Sequence, residues 1–220
     1  MTRIVKPIFV FILSCIASLL LLEGYFQITE FQLPYFELSS TVGKKMLPSK
    51  RITHFSEGFY LGGTNQYGYL GTGYPIEKTP GKVRVAIIGD SYVEGLHVSD
   101  KEHFTRIAET ILNKSLTSPK YEVLNFGVGN YNYNDMIISY MNYIRQFKPD
   151  IIVFLLEKGD FEFRPNFMPS PSLKLEKDSV VIDYSFTKTP VFKTYQKFAW
   201  AFENSALVSA ANNAFFHKTF

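Results

Sequence analysis

The sequence predicts an α/β protein in which a parallel sheet is flanked by helices and preceded by a membrane helix. Two observations carry this prediction. An uncharged apolar run opens the chain, and the body then alternates β-branched runs with stretches of helical periodicity. The order strand, helix, strand, helix, strand is typical of a parallel sheet with right-handed crossovers. The 220 residues are enough for one domain and an appendage.

The apolar run at the N-terminus indicates on which side of the membrane the rest of the protein lies. Residues 7–22 carry no charge, and Arg3 and Lys6 precede them. Residues 1–25 therefore approach the roughly 20 apolar residues of a membrane helix. A cleaved secretory signal is the alternative, although no Ala-x-Ala pattern follows the run. By the positive-inside rule, we expect a single-pass protein of the cytoplasmic membrane, with its N-terminus inside and an extracytoplasmic body.

Composition excludes two kinds of partner for the body. Of the 23 Lys and Arg, Arg3 and Lys6 precede the apolar run, so 21 remain against 20 Asp and Glu. A body so nearly neutral has no general attraction for nucleic acid. The single cysteine, Cys15, lies within the apolar run, so the body has no cysteine for a zinc site. We expect no metal and no cofactor.

Three apolar runs are the predicted strands of the sheet. They are residues 83–88, 121–126 and 151–156. The third run is continuous and apolar, which is typical of a strand covered on both faces. We expect residues 26–80 to be a membrane-proximal stalk and lead-in, and residues 81–220 to be the domain.

Two helical patterns separate these strands. Ser99 and Glu102 form a Ser-x-x-Glu capping box before the first helix. The apolar residues of that helix share one face: Phe104, Ile107, Ala108, Ile111 and Leu112. Asn134 is the predicted cap of the second helix. Its apolar residues also form a stripe: Ile137, Met141, Ile144 and Phe147.

The segment after the third strand has two further elements. Residues 173–176 and 180–184 predict a hairpin. Pro190 then precedes a long helical pattern over residues 192–216, whose apolar residues occupy much of the helix circumference. Few elements remain to cover such a helix. We therefore expect exposed apolar surface, oligomerisation through this helix, or a domain that is incomplete at the C-terminus.

In such a sheet, ligands bind at the carboxyl ends of the strands, so candidate functional residues are expected there. The residues that leave the three strands are 89–92, 125–130 and 157–161, and all three segments are polar or glycine-rich. A serine at a strand tip, followed by a turn into a helix, has an exposed hydroxyl and a backbone N–H directed at a ligand. Ser91, next to Asp90, holds that position.

These segments resemble the conserved blocks of the SGNH/GDSL hydrolases. Residues 88–95 (IGDSYVEG) are similar to the first block, residues 125–129 (NFGVG) to the second and residues 149–160 to the third. The resemblance implies a flavodoxin-like sheet and Ser91 as the nucleophile. It also implies an oxyanion hole made of the Ser91 N–H, a second-block N–H and a third-block Asn. The implied reaction is acyl transfer from an ester to water or to a sugar hydroxyl.

The oxyanion hole departs from the family pattern in two places. The second-block glycine expected five residues after Asn125 is Asn130 here, and Gly129 lies one residue earlier. Because Asn tolerates positive φ, its N–H remains a candidate donor. The third-block Asn is missing, and Asp160 stands near its place. An ionised Asp160 would repel an oxyanion, whereas a protonated one would donate to it.

The general base is the largest departure. The family takes it from an Asp-x-x-His block near the C-terminus, and no such block follows residue 161. Asp100 and His103 match the spacing, but they lie in the predicted capping box, where we expect His103 to be an exposed residue of the first helical turn. The remaining histidines have no carboxylate partner evident in sequence: His54 and His97, in predicted loops, and His217. The base is therefore unknown.

The function predicted from these residues is ester hydrolysis or O-acyl transfer by a membrane-anchored, extracytoplasmic SGNH/GDSL-type protein. Acylated carbohydrate of the cell envelope is the expected substrate class. Because the base and the oxyanion Asn are missing, we expect a weakly active or truncated enzyme. The alternative is a binding protein with a degenerate site and no turnover.

Overall fold

A computed structural model describes residues 2–55, 58–161 and 168–216, and the chain forms two compact units. One unit comprises residues 1–34 and 200–220, and the other comprises Tyr35–Ala199. The residues predicted as lead-in belong, from Tyr35 onward, to the same unit as the parallel sheet. His217 lies outside the described residues.

The first unit contains the apolar N-terminal helix. Helix α1, Thr2–Thr29, includes a segment, Lys6–Thr29, that is long and apolar enough to cross a membrane. Its mean hydropathy is 2.2, and none of its most apolar 18-residue stretch is buried within the protein. The predicted membrane helix over residues 1–25 is therefore present as a helix. A signal sequence near the N-terminus can be equally long and apolar.

The single long helix predicted at the C-terminus is wrong, because two helices occupy that segment. They are α5, Pro190–Asn204, and α6, Ala206–Phe216. The carboxylate of Glu23 accepts hydrogen bonds from the Ala206 and Leu207 N–H groups, each at 2.9 Å. The Ser205 hydroxyl donates to the same carboxylate at 2.8 Å. Because these oxygens satisfy the first N–H groups of α6, a new helix begins there.

The second unit is built on the predicted parallel sheet. Strands β5 (Val83–Gly89), β6 (Tyr121–Gly127) and β7 (Ile151–Phe154) lie in the order β6-β5-β7. Ile88 is in register with Phe126 on one side and with Phe154 on the other. All three predicted strands are confirmed, the third in a shorter form.

Short elements surround this sheet. Three antiparallel hairpins are formed by β1 with β2, β3 with β4 and β8 with β9. Their strands are β1 Phe36–Ser39, β2 Gly43–Met46, β3 Arg51–His54, β4 Tyr60–Gly63, β8 Ser172–Glu176 and β9 Ser179–Asp183. The last hairpin was predicted, with its strand bounds shifted by one residue. The helices are α2 Ser91–Glu94, α3 Phe104–Asn113 and α4 Tyr133–Asn142.

Both predicted helix caps are wrong. The Ser99 hydroxyl donates to the Glu102 side chain at 2.9 Å, within a short 3₁₀ turn. Helix α3 begins later, with His103 as its N-cap. Helix α4 is capped by Asn132 instead of Asn134, because Asn132 and Asp135 exchange side-chain hydrogen bonds with each other's backbone.

Two of the three predicted apolar faces are wrong, and the third holds in part. Four residues of the predicted α3 core face are between 40% and 65% exposed: Phe104, Ile107, Ile111 and Leu112. In β7, Ile151, Ile152 and Val153 are 37% to 47% exposed. Within the described residues β7 pairs only with β5, so it is an edge strand.

The stripe predicted for the second helix is right at its C-terminal end, where Ile144 and Phe147 are buried. It is wrong at Met141, which is 37% exposed, and it misses Met136, which is fully buried.

The core lies between the sheet, α4 and the loop before β5. Its largest cluster contains ten buried residues: Tyr69, Ala86, Ile88, Leu124, Phe126, Val128, Tyr131, Met136, Ile144 and Phe147. Tyr69 meets Phe126 edge to face, with ring centroids 4.8 Å apart. Such aromatic pairs contribute beyond the area they bury.

A buried ion pair closes the amino end of the sheet. Arg84 of β5 is 0% exposed, and its Nε donates to Glu122 of β6 at 2.8 Å. Its Nη1 donates to the carbonyl oxygens of Ile76 and Phe147. The guanidinium thereby connects two loops to the strands. Among the described residues, the carboxylate that pairs with its charge is that of Glu122.

We predict that Glu122→Gln lowers the free energy of unfolding by about 3–5 kcal/mol, because it leaves the Arg84 charge buried without a counter-charge. The matched control is Glu77→Gln, which removes a carboxylate from the exposed pair with Lys148 and should cost less than about 1 kcal/mol. Urea unfolding of the full chain in detergent measures both. Equal losses in the two variants would contradict the prediction.

Candidate functional site

A cavity of about 380 Å³ lies at the carboxyl ends of the three parallel strands. Ser91, Asn130 and Asp160, each of which follows a different strand, all line it. Asp90 and Lys44 line it as well. The sequence-predicted residues of the three strand ends therefore share one cavity.

Ser91 owes its position to the close approach of α2 to the ends of two strands. A Cβ on Gly89 would lie 2.3 Å from Cγ2 of Val93, and a Cβ on Gly127 would lie 2.0 Å from the Glu94 nitrogen. Both positions therefore require glycine. Asp90 then caps the short helix by accepting from the Tyr92 N–H at 2.9 Å, which places Ser91 as its first residue.

Two backbone N–H groups at the cavity have no acceptor in the part of the chain that the structure describes. Within the described part of the chain, neither the Ser91 N–H nor the Asn130 N–H donates a hydrogen bond to the protein. Asn130 has a φ of 66°, in the left-handed region that Asn tolerates. A carbonyl oxygen that becomes negative during attack by a hydroxyl needs such donors.

Gly129, the other predicted donor of the second block, lies against buried side chains. Its carbonyl oxygen accepts from Nζ of Lys44 at 2.8 Å, and a Cβ at this position would lie 2.7 Å from Oε2 of Glu94. Among the described residues that line the cavity, the second block contributes Asn130 and not Gly129. The geometry therefore favours Asn130 over Gly129 as the candidate donor.

One wall of the cavity is acidic. The carboxylate oxygens of Asp90, Glu157 and Asp160 lie within 4.8 Å of one another. Burial, and after it the charges of Asp160 and Glu157, raise the pKa of Asp90, while the hydrogen bond from Tyr92 opposes this shift. Asp160 is 7% exposed, and its Oδ2 accepts from the Glu157 N–H at 2.8 Å. This oxygen of Asp160 therefore acts as an acceptor.

His103 is not the exposed residue that the sequence predicted. It is 2% exposed, and its Nδ1 accepts from the Thr105 N–H at 3.3 Å. Its Nε2 lies 3.1 Å from the Val93 carbonyl oxygen, so Nε2 carries the proton. Both ring nitrogens have structural partners. Burial lowers the pKa of His103, and the hydrogen bonds to Val93 and Glu94 oppose this shift.

The other described histidines are not at the cavity either. His54 ends β3 and pairs with Tyr60, so the prediction of a loop position is wrong for this residue. His97 lies in the turn after α2. Among the described residues that line the cavity, the titratable groups are carboxylates, tyrosines and Lys44. The described structure therefore supplies no histidine base for Ser91.

Lys44 is the residue that sequence reasoning missed. It lies in β2, within the predicted stalk, and its Nζ is 3.8 Å from the centroid of the Phe36 ring. Burial lowers the pKa of Lys44, while the nearby charges of Glu94 and Asp135 oppose this shift. The sequence offers no local signal for this role, because Lys45 is adjacent and of the same type.

The chain matches no protein-family model and no curated protein.

We predict that the protein loses stability as the pH falls from about 7.5 to 5.5, because the folded-state pKa of His103 lies below its unfolded value of about 6.5. The unfolded state then binds the proton first, so this contribution is complete above pH 6.5 and is lost below it. Thermal unfolding at a series of pH values measures the effect.

The matched variant is His103→Asn, which keeps a good N-cap side chain and removes the titrating group. It should be less stable at pH 7.5 but show a flatter profile down to pH 5.5. The same slope in both proteins would show that His103 does not cause the pH dependence.

Proposed function

We propose that this chain is a membrane-anchored, extracytoplasmic acyl-transfer protein of the SGNH/GDSL type, with Ser91 as its nucleophile. One observation carries the proposal: the Ser91 hydroxyl shares a cavity with two N–H groups, its own and that of Asn130, that have no acceptor among the described residues. This combination fits attack on an ester and stabilisation of the resulting oxyanion.

In the proposed reaction the Ser91 oxygen attacks the carbonyl carbon of an ester. The carbonyl oxygen becomes negative between the Ser91 and Asn130 N–H groups, and the Ser91 hydroxyl loses its proton to solvent water. The bond from the carbonyl carbon to the ester oxygen then breaks, the alcohol leaves with a proton from water, and the acyl group remains on Ser91. Water or a sugar hydroxyl then attacks the acyl-serine and regenerates the free hydroxyl. We infer acylated carbohydrate of the cell envelope as the substrate class, since the resemblance and the export signal both favour it.

Turnover at this site should be slow. Within the described residues the Ser91 hydroxyl has no hydrogen-bond partner, so it has no positioned base. General-base assistance is worth about 10²–10⁴-fold. The carboxylates at the cavity lower the expected rate further, because Asp160 stands near the place of the Asn side chain that the resemblance implies as an oxyanion donor. These two features favour a second candidate, a protein that binds an acylated sugar and turns it over little or not at all.

We predict that the purified chain hydrolyses p-nitrophenyl acetate only slightly faster than its Ser91→Ala variant, but that it accumulates an acetyl group on Ser91. Mass spectrometry of the protein after incubation with the ester measures the acetylation. The control is Ser118→Ala, which removes an exposed hydroxyl far along the chain from the site and should leave the acetylation unchanged.

Two results would change this proposal in different ways. Rapid hydrolysis that Ser91→Ala abolishes would show that a carboxylate or another group serves as an efficient base. Binding of acylated sugar by a chain that never acquires an acetyl group on Ser91 would instead favour the binding protein.

We predict that a reporter fused after Phe220 is accessible only from outside the cytoplasmic membrane. The reason is that Arg3 and Lys6 precede the apolar segment, so the N-terminus stays inside. Protease added to intact spheroplasts should remove the reporter. Protection of the reporter would contradict the proposed topology.

A further inference from the structure

The Lys44 side chain reaches from the β1–β2 hairpin to the loop that carries Asn130. Its Nζ donates to the Gly129 carbonyl oxygen at 2.8 Å. A second contact joins the same two segments, because the Tyr131 hydroxyl donates to the Lys44 carbonyl oxygen at 2.7 Å. The loop is thus attached to β2 on both sides of Asn130.

Glu94 contacts the same glycine. A Cβ on Gly129 would lie 2.7 Å from Oε2 of Glu94, and Glu94 is only 4% exposed. Gly129 therefore lies between the Lys44 ammonium, which holds its carbonyl oxygen, and the buried Glu94 side chain. A charge-assisted hydrogen bond on a carbonyl that is also packed against a buried side chain restricts the orientation of that peptide.

The carbonyl that Lys44 holds belongs to the peptide that joins Gly129 to Asn130. A peptide is planar and trans, so its N–H points away from its carbonyl oxygen. The direction of the Asn130 N–H is therefore set by the position of the Gly129 oxygen. Either protonation state of Lys44 can hold that oxygen, because both the ammonium and the amine carry N–H groups.

We infer that Lys44, together with Glu94, is a positioning residue of the acyl-transfer site: it holds the Gly129–Asn130 peptide so that the Asn130 N–H is presented to the oxyanion. This inference rests on the proposed function, and it gives the β1–β2 hairpin a part in the chemistry. Lys44 acts through Asn130. Removing it should slow acylation of Ser91 and leave substrate binding nearly unchanged.

The first test observes the Asn130 amide directly and does not depend on activity. In the full ¹⁵N-labelled chain in detergent, Lys44→Met should shift the Asn130 amide resonance and speed up its hydrogen exchange, whereas Lys44→Arg should stay close to the wild type. The control is Lys45→Met, on the same strand, whose side chain faces Glu37 and the Tyr143 ring instead. If Lys44→Met does not fold, Lys44→Gln is expected to give the same shift.

The second test measures acetylation of Ser91 by p-nitrophenyl acetate. Lys44→Met should slow the maximal rate about ten- to a hundredfold, which is less than the loss of a whole oxyanion donor. KM should stay within about twofold, and Lys44→Arg should recover part of the rate. Lys45→Met should behave like the wild type.

The outcomes separate the inference from the proposed function. An Asn130 amide that is unchanged in Lys44→Met, or a rate loss that Lys45→Met reproduces, would overturn the inference. If wild-type Ser91 is never acetylated, the proposed function is wrong, and the amide resonance alone then decides whether Lys44 positions Asn130.

Discussion

The close contact between α2 and the ends of β5 and β6 is the constraint on which the rest of the site depends. Only glycine at positions 89 and 127 lets the α2 backbone approach this closely. The contact places Ser91 at the strand tip and directs the Glu94 side chain beneath Gly129. Glycine at position 95 leaves room for the His103 ring, since a Cβ there would lie 2.2 Å from its Nε2. The positions of Ser91 and Glu94 thus follow from one packing contact, and that of His103 depends on the glycine next to it.

Burying Glu94 is costly unless a partner compensates its charge. Lys44 supplies that charge from β2, and it is itself stabilised by Glu94, by Asp135 and by the face of the Phe36 ring. The hairpin that carries Lys44 is therefore an electrostatic component of the domain. Apolar contacts act in the same direction, because Phe36 packs against the core cluster of the sheet. These contacts join residues from Tyr35 onward to the unit of the sheet, although their sequence resembles a stalk.

The features that the sequence predicted correctly are those that depend on residues close to one another along the chain. The strands β5, β6 and β7 follow from local β-branched runs, and Ser91 follows from its place after one of them. Contacts between distant residues were missed, as Lys44 shows, because no periodicity links position 44 to position 129. His103 was mistaken for an exposed residue for a related reason. The Ser-x-x-Glu pattern is a local signal, whereas the burial of the imidazole against Val93 and Glu94 depends on residues about ten positions away.

The carboxylates of the acidic wall would destabilise an oxyanion in the cavity, whereas the N–H donors would stabilise it. Hydrogen bonds from Ser91 and Asn130 would act at contact distance on the negative oxygen, whereas carboxylates lose strength with distance and with protonation. Burial raises the pKa of Asp90, and the neighbouring charges of Asp160 and Glu157 raise it further. Each proton that the wall retains weakens its repulsion of the oxyanion and also removes one acceptor for the Ser91 proton. Under the proposed function, the same carboxylates would therefore slow both the acylation of Ser91 and the release of the acyl group from it.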